Sequence, residues 1–138
     1  MWYKLLMIPL MLSSLLGLHP QRISTIEPKI TLEQSIQRIF GNKAPVAMAV
    51  LKHESGLKLD AVNYNCRYYG KSTFCKKKDY KKAWSVDCGI AQVNVKGQVC
   101  PPELMTLEGN MKAVEKIYKS QGLKAWMSYV NGGYKKFL

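Results

Sequence analysis

The sequence contains few of the residues that bind metal ions. It has only two histidines, and its four cysteines are separated by 8, 12 and 11 residues, so no C-x-x-C pair occurs. Structural zinc sites draw four ligands from closely spaced cysteines and histidines. We therefore predict no metal site, and nothing else in the sequence implies a cofactor.

Acidic residues are also scarce. Nine Asp and Glu stand against 21 Lys and Arg, which gives a formal net charge of +12. Such an excess usually indicates an anionic partner. Nucleic acid and a bacterial envelope both qualify, and charge alone does not choose between them.

No apolar run reaches the ~20 residues of a membrane-spanning helix. The longest, residues 5–18, has 14 residues and follows the positive start Met1–Lys4, which is typical of a secretory signal. No clear A-x-A cleavage pattern follows, so an uncleaved anchor is the alternative. We predict a signal peptide or anchor over 1–22, a linker over 23–30 and one folded domain over 31–138.

The cysteines agree with export to the periplasm, the cell envelope or the medium. An even number in a small exported chain predicts two disulfides. Three pairings are possible, and the ease of closing short loops favours Cys66–Cys75 and Cys88–Cys100.

The hydrophobic pattern predicts several helices and one insertion. Thr31–Gln34 has the capping-box form T-x-x-Q, and helical spacing follows as far as Gly41. A second, very apolar helix is expected from an Asn42 cap to about Glu54. Residues 57–84 show no helical period and predict irregular structure or a short β-hairpin, followed by strand-like ends over 85–95. Residues 107–118 and 123–130 return to helical spacing. The predicted class is α+β, mostly α.

Glu54 is the first candidate for chemistry. It ends the most apolar helix, and Ala47 and Val50 share its face. A carboxyl against such a face loses water, which favours the uncharged form that a proton donor needs. By position alone, an ordinary solvated glutamate is the better interpretation.

Asp87 is the second candidate. It lies 33 positions after Glu54, across the insertion, and a hairpin folding back over the second helix would bring the two carboxyls together. Glycan-cleaving enzymes use such a pair. Gln92 and Asn94 alternate along a strand-like run, so on a strand they would face one side, where amides suit sugar hydroxyls. Taken alone, a turn aspartate and an exposed strand face are the more common interpretations.

Three motifs that follow one another along the chain favour the functional interpretation of these residues. They are His53-Glu54-Ser55-Gly56, Asn63-Tyr64-Asn65, and the run from Ser85 to Asn94. Together they resemble the lysozyme-like superfamily, whose members carry a helix-ending E-S, then A-x-N-x-N, then S-x-D-x-G-[LI]-x-Q-[IV]-N. The chain is similar both to animal c-type lysozymes and to lytic transglycosylases of bacterial secretion systems and phages, over roughly residues 31–138.

The resemblance implies a lysozyme-like fold over 31–138 with Glu54 as catalytic glutamate and Asp87 as second carboxylate. It places Ser55, Gln92, Asn94 and Tyr129 among the substrate-binding residues, Tyr129 as the aromatic beside the catalytic acid. The chain departs from the c-type pattern in its longer insertion, in Cys88 where an aromatic is usual, and in having four cysteines instead of eight. These departures favour a bacterial or phage origin.

The expected function is cleavage of the β-1,4 bond between N-acetylmuramic acid and N-acetylglucosamine by a lytic transglycosylase. A hydrolytic lysozyme and a non-catalytic, cationic wall-glycan-binding protein are the alternatives. The expected partner is the peptidoglycan strand, with a secretion machine or phage particle as a further candidate, and an exported protein is not expected to bind nucleic acid. The six lysines from Lys71 to Lys82 indicate either a surface that docks on anionic envelope polymers or membrane, or an ordinary solvated loop.

Overall fold

A computed structural model of the chain describes residues 29–138. The predicted signal peptide or anchor, residues 1–22, and most of the predicted linker, residues 23–30, lie outside the described residues. Of the described part, 56% is helical, and four short strands form one antiparallel sheet. The predicted α+β class is therefore confirmed. Within residues 29–138, no helix is both long and apolar enough to cross a membrane.

The first two helices are α1 (Leu32–Phe40) and α2 (Ala44–Ser55). The capping box at the start of α1 is confirmed: the Thr31 amide donates to Gln34 Oε1 at 2.9 Å, and the Gln34 amide donates to Thr31 Oγ1 at 3.2 Å. The predicted Asn42 cap is wrong. A 3₁₀ turn over residues 41–43 leads directly into α2, and its own Gly41 carbonyl accepts the Ala44 amide, so no side-chain cap forms.

Four strands occupy the chain between α2 and the next long helix. They are β1 (Val62–Tyr68), β2 (Lys71–Phe74), β3 (Ser85–Cys88) and β4 (Val93–Lys96). The sheet order is β2-β1-β3-β4, all antiparallel. The expected hairpin is thus present, and the strand-like residues 85–95 add a second hairpin to it.

Two disulfides brace this region. Cys66–Cys75 joins β1 to the chain that follows β2, with the Cα atoms 4.9 Å apart, and Cys88–Cys100 joins the end of β3 to the approach to the third helix, with the Cα atoms 5.8 Å apart. The pairing favoured by loop length is confirmed. Both bridges are compatible with an oxidising, exported environment.

The C-terminal part contains α3 (Leu107–Gln121) and a short α4 (Met127–Val130). One helix was expected over 123–130, and this is wrong. A 3₁₀ turn over residues 122–125 comes first, and Trp126 is extended, at φ −101° and ψ 125°. The buried Trp126 indole N–H donates to the Ala91 carbonyl at 2.9 Å, which ties this break to the turn between β3 and β4.

Helix α2 is central to the main core. Ile36 from α1, Val50 and Leu51 from α2, and Met111 and Val114 from α3 are all almost fully buried there. In a smaller cluster, Val86 and Cys88 of β3 pack against Leu104. The core therefore fixes the C-terminal end of α2 against the sheet on one side and the α4 region on the other.

Candidate functional site

Glu54 lies in the last turn of α2. Ala47 and Val50, on the same face, are buried as expected, and Glu54 itself is half-buried at the edge of that core. The helix ends because Gly56 adopts a left-handed conformation, at φ 65° and ψ 24°, and its amide donates to the Lys52 carbonyl at 2.9 Å. The carboxyl thus lies where an apolar helix meets the protein surface.

The Glu54 carboxylate is held by the C-terminal part of the chain. Its Oε1 accepts the backbone amide of Ser128 in α4 at 3.2 Å. Sequence reasoning missed this residue, since a backbone amide leaves no signature in a side-chain pattern. The neighbouring Tyr129, expected beside the catalytic acid, stacks its ring on Tyr134 with the centroids 5.4 Å apart. The structure therefore brings the Tyr129 segment to Glu54.

Ser55 connects α2 to the sheet. Its hydroxyl donates to the Ile90 carbonyl at 2.7 Å, in the turn between β3 and β4. This hydrogen bond spans 35 positions of the chain and fixes the end of α2 beside the sheet. The contact gives Ser55 a bracing role, and its predicted contact with substrate stays a prediction.

Asp87 lies in the middle of a row of polar side chains across the sheet. In the strand register, Asn63 of β1, Asp87 of β3 and Asn94 of β4 are directly opposite one another. Asn94 Nδ2 donates to Asp87 Oδ1 at 2.7 Å, and Asn65 Nδ2 donates to Asp87 Oδ2 at 2.9 Å. Both amides also donate to Ser85 Oγ, at 2.9 Å from Asn94 and 3.3 Å from Asn65. Asp87 and Asn94, two predicted site residues, are thus in direct contact.

In the sequence, Asn63 and Asn65 stand out only as part of the Asn63-Tyr64-Asn65 motif. Their spacing of two places both on the same face of a strand, which is the signal that could have added them to the site.

Gln92 differs from the expectation. It was expected to share a strand face with Asn94, but β4 begins only at Val93, and Gln92 lies in the preceding turn at φ 50°. Its Nε2 donates to the carbonyls of Gly89 and Ala61, at 2.9 and 3.3 Å, and its Oε1 accepts Asn63 Nδ2 at 2.6 Å. Both ends of this amide are engaged within the protein, and their hydrogen bonds hold the turn in which the chain reverses between β3 and β4.

The same turn is held from behind by Asn110, which is fully buried in α3. Asn110 Oδ1 accepts the Ala91 amide at 3.1 Å, and its Nδ2 donates to the carbonyls of Cys88 and Leu104, at 3.1 and 2.8 Å. A Cβ on Gly89 would lie 2.3 Å from Asn110 Nδ2, so only glycine fits there.

The candidate site therefore consists of two hydrogen-bonded groups. Glu54 belongs to the first, with Ser128, and Asp87 belongs to the second, with Asn65 and Asn94. The turn over residues 89–92 connects the two through hydrogen bonds: Ser55, next to Glu54, donates to Ile90, and Gln92 accepts from Asn63, which lies opposite Asp87. Across the described residues, no group of three or more His, Cys, Asp or Glu side chains is placed to hold a metal ion.

The chain was compared with protein-family models, curated proteins and solved structures. None of the three comparisons gives a match. The resemblance carried by the sequence motifs thus stays a prediction.

Proposed function

We propose that this protein cleaves the β-1,4 bond between N-acetylmuramic acid and N-acetylglucosamine in peptidoglycan, as a lytic transglycosylase. The Glu54 carboxyl gives its proton to the leaving glycosidic oxygen. The resulting carboxylate then takes the proton of the sugar's own 6-hydroxyl as that oxygen bonds to C1. The bond to the leaving sugar breaks, a 1,6-anhydro end forms, and Glu54 regains its proton.

The position of Glu54 supports the role of general acid. The side chain is half-buried at a helix end, and one oxygen is oriented by the Ser128 amide. The other oxygen, Oε2, accepts no hydrogen bond from residues 29–138, so it is free to reach a substrate. A general acid must lie within hydrogen-bond reach of the group that it protonates, and a fixed carboxyl with one free oxygen meets that need.

The observation that carries the choice of a transglycosylase is the environment of Asp87. Each of its two carboxylate oxygens already accepts a short amide hydrogen bond from a neighbouring strand. Hydrogen-bond donors stabilise the negative charge of a carboxylate. A carboxylate that attacks a sugar carbon loses this charge as the new bond forms, so the donors make Asp87 a weaker nucleophile. In a transglycosylase the 6-hydroxyl attacks instead, and Asp87 has only to order the sheet face that meets the glycan.

A hydrolytic lysozyme is the second candidate, and one feature favours it. The two amides that occupy Asp87 also hold its negative charge in a fixed place on the sheet. A fixed negative charge can stabilise the oxocarbenium-like transition state of glycoside cleavage without attacking it. Water would then complete the reaction.

Product mass separates the two reactions. Purified peptidoglycan is digested with the protein, and the soluble muropeptides are measured by mass spectrometry before any chemical reduction. Fragments one water lighter, without a reducing end, are expected. Products with ordinary reducing ends would replace the transglycosylase by the lysozyme. No fragments at all, with the protein sedimenting together with the wall, would leave the non-catalytic binder.

A further inference from the structure

The region with the highest density of positive charge lies outside the candidate site. We call residues 67–84 the basic insertion; they run from the end of β1 through β2 to the start of β3. The basic insertion contains seven basic side chains and one acidic side chain, and all seven basic residues are exposed. The basic residues are Arg67, Lys71, Lys76, Lys77, Lys78, Lys81 and Lys82.

The single acid of the basic insertion does not offset this charge at the surface. Asp79 is 7% exposed, and its Oδ2 accepts the Tyr68 hydroxyl at 2.6 Å while Lys82 Nζ lies 3.3 Å from Oδ1. The Tyr68 hydrogen bond and the nearby Lys82 hold the pKa of the Asp79 carboxyl below its ordinary value. Within residues 29–138, the other six basic side chains of the insertion form no ion pair.

The basic insertion is held in one shape. The Cys66–Cys75 disulfide closes it near its start, and the Lys76 amide donates to the Tyr68 hydroxyl at 3.3 Å. Near its end, Gln98 Nε2 donates to the carbonyls of Lys81 and Ala83, at 2.6 and 3.3 Å. A surface fixed in this way loses little conformational entropy when it binds a partner.

Two aromatic rings of the basic insertion are much more exposed than its other three. Tyr69, in the turn between β1 and β2, is fully exposed at 104%, and Phe74 at the end of β2 is 65% exposed. The other three aromatics are engaged within the protein: the Tyr68 hydroxyl donates to Asp79, Tyr80 stacks on Tyr64 with the ring centroids 4.3 Å apart, and Arg67 lies 4.7 Å above the ring of Trp84. Exposed rings beside uncompensated lysines are the combination found where proteins enter the interface of an anionic bilayer.

We infer that the basic insertion docks on the surface of an anionic phospholipid bilayer. The lysines bind the lipid phosphates, and the rings of Tyr69 and Phe74 enter the layer just below the headgroups. A soluble phosphate-bearing polymer could match the charge, but it offers no apolar layer for a phenylalanine that has no polar group. This role goes beyond glycan cleavage, since it would hold the domain against a membrane next to the wall.

Vesicle sedimentation tests the inference. The full chain is mixed with phosphatidylcholine vesicles with and without 30% phosphatidylglycerol, and the bound fraction is measured at two salt concentrations. Binding is expected to be stronger to the anionic vesicles than to the neutral ones, and this difference should weaken with salt. Every variant keeps the same N-terminal residues, so differences between variants report the basic insertion.

Three variants decide the outcome. K76S/K77S/K78S should weaken binding about a hundredfold, at about fivefold for each of the three basic residues removed from an anionic surface. Y69S/F74S should weaken it about tenfold, the value expected for partial burial of two rings. The matched control K112S/K116S/K124S removes the same charge from exposed, unpaired positions in and just after α3, and it should change binding less than threefold.

Two results would overturn the inference. In the first, K76S/K77S/K78S and the control bind the anionic vesicles equally. In the second, Y69S/F74S binds as the wild type does and a soluble glycerol-phosphate polymer displaces the protein from vesicles, which would identify a polymer site in place of a bilayer site. Unfolding curves confirm that each variant is folded. Because the vesicles contain no glycan, either result leaves the proposed cleavage reaction untouched.

Discussion

The two candidate carboxylates are held in opposite ways. Glu54 ends a helix, is half-buried at the edge of the core, and accepts one backbone amide with one oxygen. Asp87 lies within a sheet and accepts side-chain amides with both oxygens. The first arrangement leaves an oxygen free for proton transfer, and the second fixes a charge. The difference indicates that the two groups do not share one role, which makes them separable by mutation.

Replacing Glu54 by glutamine should have the largest effect. The glutamine oxygen can still accept the Ser128 amide, so the fold is kept, but the side chain has no proton to give. Cleavage of purified wall should fall about 10²–10⁴-fold, the usual contribution of a general acid. Glu108→Gln, at an exposed glutamate of α3, serves as control and should cleave normally. Clearing of wall by Glu54→Gln within a factor of two of the wild type would remove Glu54 from the chemistry.

Asn110→Ala removes the side chain that holds the turn over residues 89–92 in place. It removes the partners of the Ala91 amide and of the Cys88 and Leu104 carbonyls, all in a buried setting. The free energy of unfolding should fall by about 3 kcal/mol or more, since each buried unpaired group costs about 1–3 kcal/mol. Urea unfolding measures this, with Asn42→Ala as control, at an exposed asparagine whose side chain makes no hydrogen bond within residues 29–138.

A smaller loss for Asn110→Ala, below about 1 kcal/mol, would show that the turn is held without Asn110. Cleavage per folded molecule should also fall, because the turn positions both groups. Unchanged cleavage per folded molecule would show that Glu54 works independently of the sheet.

Asp87→Asn should be milder than Glu54→Gln. The asparagine can accept only one of the two amide hydrogen bonds, so the sheet face loses order, but a transglycosylase keeps its proton donor and its attacking hydroxyl. We expect activity to fall about tenfold or less, with the anhydro product still formed. Mass spectrometry of the products, together with a melting curve, provides the measurement. A variant as inactive as Glu54→Gln, from a wild type that makes reducing ends, would make this a lysozyme.

Asp79 is a carboxylate outside the candidate site, and it serves as a comparison for Glu54 and Asp87. Its replacement should have the smallest effect of the four substitutions. Its folded-state pKa is lowered, chiefly by the Tyr68 hydrogen bond, so the unfolded chain binds more protons near the ordinary pKa. Its contribution to stability is present above about pH 4 and is lost as the pH falls through the folded-state value. Asp79→Asn should therefore be less stable than wild type at pH 7, and the difference should shrink in strong acid.

Cleavage by Asp79→Asn should not change, since Asp79 contacts neither group of the candidate site. Melting temperatures from pH 2 to 7 test the stability prediction. A stability difference that stays constant over this whole range would contradict the assigned ionisation.

Patterns with a local cause were predictable from the sequence. The capping box at Thr31, the apolar face of α2 and the strands flanking Gly89 depend on neighbouring residues alone, and the structure bears them out. Loop length predicted the correct pairing of the four cysteines because both disulfides close short loops.

Features that depend on distant contacts were not predictable. The break at Trp126 forms beside its indole hydrogen bond to Ala91, 35 positions away, and the Ser128 amide reaches Glu54 across 74 positions. Gln92 was placed on a strand because its spacing to Asn94 fits one, whereas the turn needed a residue at positive φ there. Most side chains of the candidate site could be predicted from the sequence. Their arrangement in two separate hydrogen-bonded groups could not.

Strand β2 has one further consequence. It is an outer strand of the sheet, and all four of its residues are exposed, so along its outer side its backbone has no partner among the described residues. Such an edge can pair with the same edge of another molecule and start aggregation. The neighbouring lysines oppose this, because two copies approaching edge to edge bring their positive charges together. Removing those lysines would therefore lower the concentration at which the protein stays in solution.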